Sequence, residues 1–361
     1  MPRPNSPAPQ NHPAAQANAP QKPRLAGKLA RILLSYGVAG VCLYWVFHNL
    51  DFRQMFHSFA GVNWWWVPAA MVLQLFVYVV AGWEWQVLLR PIGRLSVAQT
   101  TQAVFAGRFA NDVLPVHVGY VIRIYLVSRW TGASIAAVTP SLLIERLFDG
   151  FWLALGIGLT AFFLPLPSAL VRAAEIWVGI IVFGLVTGAI ILLCKPSRQG
   201  SQTSHAASGK GFRKFRAMLS QGLEQIRLIG HSRLLPAGFA LSLLKFAVQC
   251  LAFLCLLRTY HFQLPLSAQM AVFLVAYVGL SMPSTPASVG VFQLFCIAGL
   301  EIFHVPKPVA AGFSWLAFVV INLPLSLAGF IALAQSGLTL RQVRTQIRQH
   351  HQRPFNGSET V

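Results

Sequence analysis

Glu145 and Asp149 stand four residues apart inside a long apolar run, with Arg146 next to the first. Positions four apart share one face of a helix. The run starts near residue 136, which puts Glu145 ~14 Å along a helix that rises 1.5 Å per residue. A charge at that depth in a membrane costs about 2.5–3.5 kcal/mol on insertion scales, so it marks either a ligand site or a fixed internal partner. Other polar residues converge on the same region. Asp112 and Arg123 flank an interruption in the preceding apolar stretch, Asn111 and His117 lie in it, Glu84 approaches from the run before, and Lys245 sits in the middle of a later one. Guanidinium groups match phosphate and carboxylate geometry. Arg123 and Arg146 are therefore candidates to hold an anionic group, with Asn111, Asp112, His117, Glu145, Asp149 and Lys245 completing a polar headgroup cavity. The same residues also fit an internal ion-pair network that fixes one helix to another, and the two roles are compatible. His117 titrates near neutral pH as a type, but a lone histidine is more often a hydrogen-bonded structural residue.

Other chemistries leave no trace. No P-loop, H-E-x-x-H or Gly-x-Ser-x-Gly pattern occurs, and the five cysteines lack metal-ligand spacing. The expectation is of no metal, no cofactor and no catalytic residues.

The elements that must position these residues are membrane helices. Of 361 residues, 55% are hydrophobic and 10% charged, against about 25% charged in an average soluble chain. Six apolar runs reach the ~20 residues a spanning helix needs, at 29–48, 63–89, 136–164, 174–194, 234–258 and 309–334. Two further regions, 98–128 and 268–303, are apolar but broken. The net charge of +19 would suggest nucleic acid in a soluble protein. Here the Lys and Arg residues fall between spans, which points to topology and anionic lipid instead. They crowd before the first span, after the fourth and after the last, so both termini are expected on the cytoplasmic side of the inner membrane. Residues 1–24 read as a disordered tail, 25–335 as one transmembrane domain, and 336–361 as a basic tail. Within the 195–233 loop, Phe212, Phe215, Leu219, Leu223, Ile226 and Ile229 recur at helical spacing among basic residues, as in a helix lying on the inner leaflet. Asn322 with Pro324 in the last run reads as a kink.

The two broken regions repeat one pattern. Pro115, Val118, Gly119 and Val121 match Pro286, Val289, Gly290 and Phe292 at an offset of 171 residues. Asn111, Pro115 and Gly119 break the first region. Pro283, Pro286 and Gly290 break the second, with Thr285 among the hydroxyls able to satisfy freed backbone groups. For the charge pattern to hold, each region must enter and leave on the same side, as a re-entrant hairpin. The expected fold is all-α and polytopic: about six full spans plus two oppositely oriented broken hairpins, arranged as an inverted repeat. The hairpins are candidate gates, and half-helix N-termini pointing inward would favour phosphate.

The run Asn111-Asp112-x-Leu114-Pro115-x-x-x-Gly119-x-x-x-Arg123, then Glu145-Arg146-x-x-Asp149, then Pro283-x-x-Pro286-x-x-x-Gly290-Val291-Phe292, resembles the transmembrane, flippase-like region of the lysylphosphatidylglycerol synthase family. The resemblance covers about 25–335. It implies a multi-pass inner-membrane protein that moves an anionic lipid or lipid-linked intermediate between leaflets. Members of the family often have a basic residue and then Gly-Glu where this chain has His117 and Gly119-Tyr120, so its first hairpin differs in charge. The full synthases carry a soluble aminoacyl-transfer domain after the last span. Residues 335–361 are too few for one, and lysyl transfer is not expected. Short relatives are also associated with hopanoid and polyprenyl-lipid pathways. Expected partners are therefore membrane lipids with anionic headgroups, together with envelope-lipid biosynthesis enzymes, and no nucleic acid. Two alternatives stay open: an integral-membrane enzyme using Glu145 or Asp149 as base, and a non-catalytic accessory subunit of such a pathway.

Overall fold

The computed structural model describes residues 37, 40–48, 50–113, 118–163, 172, 175–176, 178–179, 182–184, 234–281 and 288–336. The tails, the 195–233 loop, most of the 174–194 run, and His117, Pro115, Pro283, Thr285 and Pro286 lie outside those residues. Among the described residues there is no strand. The chain runs α1 (Phe52–Ser58), α2 (Trp66–Leu89), α3 (Val97–Val113), α4 (Val118–Thr131), α5 (Ile135–Phe163), α6 (Leu235–Thr259), α7 (Leu266–Ser281), α8 (Val291–Glu301) and α9 (Lys307–Gln335), and residues 40–47 are also helical.

Long apolar runs give long helices, and α2, α6 and α9 are long and apolar enough to cross a membrane. The 29 residues of α5 make it as long as α9, but it carries Glu145, Arg146 and Asp149. Along α2, Val72, Phe76, Val79 and Trp83 are exposed at spacings of four, three and four. On α9, Val319, Leu323, Leu327 and Phe330 form a similar stripe. Contiguous apolar stripes of this kind belong against acyl chains rather than water. Trp65, at 88% exposed, marks one end of α2, where an interfacial aromatic is expected.

The remaining helices come in short antiparallel pairs. Gly107 and Asn111 of α3 meet Gly119 of α4, while Gly93, before α3, lies by Thr131 at the far end of α4. In the second pair, Gly279 of α7 meets Phe295 of α8, and Val275 meets Gly299. No helix in either pair exceeds 17 residues, or ~26 Å, short of a ~30 Å hydrocarbon core.

Shifting the first set of helices by 171 residues reproduces the second. The bounds of α2, α3, α4 and α5 then fall within three residues of α6, α7, α8 and α9. Packing follows the same rule: α3 packs on α9 as α7 packs on α5, and α2 on α9 as α6 on α5. The equivalent helices α2 and α6 lie against each other in opposite directions. The Asn63 N–H donates to the Thr259 carbonyl at 2.8 Å, Gln249 Nε2 donates to Gln74 Oε1 at 3.0 Å, and Leu88 lies over Gly238. Partners descend along α6 as residues ascend along α2, so one half is upside down relative to the other.

Two apolar cores result. One is built around Phe253, Phe273, Phe292 and Phe313, the other around Trp85, Leu89, Ile122 and Leu126. Along α2 the first core ends at Ala70 and the second begins at Ala81; along α5 the second ends at Leu142 and the first begins at Leu153; along α9 the first ends at Ile321 and the second begins at Ala332. The gaps hold Gln74 on α2, Glu145, Arg146 and Asp149 on α5, and Asn322 and Ser326 on α9. A polar layer thus crosses the bundle between two greasy ends.

Candidate functional site

Six side chains from four helices form one chain of charge that runs from that layer into the second core. Arg123 of α4 grips Glu145 of α5 with both terminal nitrogens, Nη1 to Oε1 at 3.2 Å and Nη2 to Oε2 at 2.7 Å. Arg146 Nη2 donates to Glu145 Oε1 at 2.7 Å, and its Nη1 lies 3.1 Å from Asp149 Oδ2. Lys245 Nζ, from α6, is 2.5 Å from Asp149 Oδ1 and 2.5 Å from Glu84 Oε2 on α2. Three cations face three carboxylates, and the set is formally neutral. Pairing of this kind is what makes burial of so many charges tolerable.

The network is firmly held at one end. The Arg123 guanidinium lies 4.3 Å above the Trp85 ring, which is fully buried. Trp85 Nε1 donates to Ser141 Oγ at 2.9 Å, and Ser141 donates to the Val138 carbonyl. Cation–π stacking and the two-point carboxylate grip leave Arg123 little freedom. The other end is open. The Arg146 side chain is 48% accessible, while those of Glu145 and Arg123 are 1% and 6%. Arg146 also lies over the Tyr120 ring at 5.5 Å. Its side chain is the most accessible of the six.

Asp112 belongs to a different cluster. Its Oδ1 lies 3.3 Å from Arg108 Nε, one turn back on α3, and its Oδ2 accepts from Ser326 on α9 at 3.2 Å. Arg108 Nη2 donates to Asn322 Oδ1 at 2.7 Å. These contacts tie the first half's α3 to the second half's α9. Asn322 also donates to the Phe318 carbonyl one turn back, near Pro324.

Asn111 acts on the backbone. Its Oδ1 accepts from the Gly119 N–H at 2.7 Å, capping one of the free donors at the start of α4. Side chains are excluded at Gly119, because a Cβ there would run into the Gly107 carbonyl and the Asn111 amide. In the second half, Gly290 has φ 85°, a conformation that favours glycine. Its N–H donates to Gln293 Oε1, also at 2.7 Å.

A sequence model described as the lysylphosphatidylglycerol synthase TM region matches residues 32–329. The chain belongs to that family. No curated protein matches the chain. Membership fits an all-α membrane protein concerned with lipid metabolism or transport.

Within this family member, the two halves share helices but not charge. The positions equivalent to Arg123, Glu145, Arg146 and Asp149 are Leu294, Leu316, Ala317 and Val320. Lys245 is the second half's contribution to the network. Of the residues singled out in the sequence, Arg123, Glu145, Arg146, Asp149 and Lys245 come together, with Glu84 as a sixth member. Asp112 and Asn111 stand apart from them. Arg108, Trp85, Ser141 and Ser326 were not singled out. Arg108 with Asp112 was visible as an i, i+4 pair of opposite sign, and Ser141 lies one turn before Glu145 on its face. Trp85 carried no signal beyond its place after Glu84. Among the described residues, no three His, Cys, Asp or Glu side chains are grouped as a metal ion would require.

Proposed function

We propose that this protein is a transporter of flippase type that moves an anionic lipid, or an anionic lipid-linked intermediate, between the leaflets of the cytoplasmic membrane. Arg146 receives the headgroup, and the tails remain in the bilayer. One observation carries this reading: Arg146 is half accessible within an otherwise buried ion network, in the layer between the two apolar cores. A phosphate monoanion suits a guanidinium fork and would exchange places there with Asp149. Arg123, held by Glu145 and Trp85, positions Glu145 and does not touch the headgroup. The α3/α4 and α7/α8 hairpins act as gates that open from opposite sides, as the inversion of the halves favours.

The test is a leaflet-access assay in proteoliposomes, with fluorescent phosphatidylglycerol, fluorescent phosphatidylcholine and a polyprenyl phosphate. Accelerated exchange of an anionic probe, abolished by Arg146→Ala in folded protein, is the expected result. No acceleration of any probe by the wild-type protein, or equal acceleration by Arg146→Ala, overturns the proposal.

A further inference from the structure

We propose that Glu84 is a proton-binding site, and that it takes up one proton for each anionic headgroup that Arg146 receives. The inference rests on the transport reading above and adds its coupling ion.

Charge balance motivates it. Arg123, Arg146 and Lys245 neutralise Glu84, Glu145 and Asp149. A monoanionic headgroup entering this set leaves one negative charge without a partner, in surroundings that hold isolated charge poorly. Protonating one carboxylate restores neutrality. Geometry selects which one. Glu145 accepts from two arginines, and Asp149 is paired with Arg146 and Lys245. Among the described residues, Glu84 is 0% exposed, shares its single cation with Asp149, and has no hydrogen-bond partner at Oε1. A neutral carboxyl is less costly to bury in that state than a carboxylate.

The exchange is mechanical. A headgroup on Arg146 displaces Asp149, which then depends on Lys245 alone. The ammonium's charge is then taken up more by Asp149 and less by Glu84, while Nζ stays within reach of both carboxylates. The proton starts as a hydronium ion at the opening beside Arg146 and leaves a water molecule there. It reaches Asp149, Lys245 passes one of its own protons to Glu84, and Lys245 is refilled from Asp149. One O–H bond forms on Glu84, and Lys245 ends as ammonium.

The groups around Glu84 are few. Lys245 faces it from α6, and Glu145 and Asp149 face it from α5. Arg123 of α4 is stacked on the adjacent Trp85. Arg108 and Asp112 of α3 approach α2 at Tyr78, and α9 has no ionisable side chain after Lys307, its first residue. Nothing among them other than Lys245 offers Glu84 a charge partner.

The experiment is calorimetric titration of the full-length, detergent-solubilised protein with dihexanoyl-phosphatidylglycerol, near neutral pH. It is run in two buffers of different ionisation heat, so that the difference in heat counts protons. Uptake of about one proton per bound lipid is expected for wild type, and about none for Glu84→Gln. Dihexanoyl-phosphatidylcholine, which brings no net charge, is expected to take up none. Lipid binding with no proton uptake by the wild-type protein overturns the coupling and leaves the transport reading standing. Uptake that persists in Glu84→Gln overturns the assignment to Glu84. Absence of binding by any anionic probe overturns the transport reading and this inference with it. The wild-type proton count tests the coupling without any variant, and Glu84→Met, expected to take up about none, tests the assignment where Glu84→Gln fails to fold.

Discussion

Lys245 reaches Glu84 across the antiparallel contact between the two halves of the molecule, with Nζ 2.5 Å from Oε2. The same nitrogen holds Asp149 on α5. One ammonium therefore clamps α2, α5 and α6, and it joins the second half to the charge network of the first. Its removal would leave Glu84 without a cation and Asp149 with Arg146 alone. Lys245→Met should cost on the order of 3–5 kcal/mol, the range for breaking a buried pair. The double variant Lys245→Met/Glu84→Gln should recover a large part of that loss, because the deepest orphan is then neutral. Unfolding of the four proteins of this cycle in mixed micelles measures the coupling. A double variant no better than the single would show that Lys245 works by packing alone.

The cluster around Asp112 predicts a different outcome. Arg108, Asp112, Asn322 and Ser326 join α3 to α9 by bonds among themselves. Asp112→Asn keeps the shape and an acceptor for Ser326 but loses the ion pair with Arg108. A stability loss of about 1–3 kcal/mol is expected from the weakened partnership. Exchange rates per folded molecule should stay close to wild type in the leaflet-access assay. A folded Asp112→Asn protein without exchange would place this strut in the transport path.

Much of the fold was legible because apolar runs of spanning length leave few choices. The runs read at 63–89, 136–164, 234–258 and 309–334 coincide with α2, α5, α6 and α9 to within a few residues. The runs at 29–48 and 174–194 are described only in part. Charges inside apolar runs also stand out, which is why Glu145, Arg146, Asp149 and Lys245 could be grouped in advance. Partner choice was not legible. Asp112 and Arg123 flank one break and were both read as lining the headgroup cavity, yet Asp112 bonds along its own helix to Arg108 and across to Ser326, while Arg123 turns to Glu145. Those choices follow from which helix faces pack together. Spacing within one strand of sequence does not encode that.

Glycine and carboxamide act together at both hairpins, and the first pair gives a clean test. Asn111 Oδ1 accepts from the Gly119 N–H, and Gly119 has no room for a Cβ. Asn111→Ala leaves that donor buried without its acceptor, at a cost of about 1–3 kcal/mol. Gly119→Ala forces α3 and α4 apart, with a similar penalty of about 1–3 kcal/mol from overpacking. If the two substitutions act on one contact, the double variant should lose less than the combined single losses. Full additivity in micelle unfolding would mean that Asn111 and Gly119 stabilise the hairpin separately.

The two arginines bound to Glu145 should separate stability from transport. Arg123 is nearly buried, grips Glu145 at two points and stacks on Trp85. Arg123→Ala should cost about 3–5 kcal/mol, since it leaves a buried carboxylate one cation short. Arg123→Lys keeps the charge but loses the fork and the stack, so it should recover only part. Arg146 is half accessible, and its partners Glu145 and Asp149 keep Arg123 and Lys245, so Arg146→Ala should cost less, about 1–3 kcal/mol. Its exchange of anionic lipid should nevertheless fall to the protein-free rate. The decisive comparison is unfolding and leaflet exchange measured on the same preparations. Should Arg146→Ala lose stability as heavily as Arg123→Ala while its folded fraction still exchanges lipid, Arg146 would be another strut and the headgroup would have to bind elsewhere.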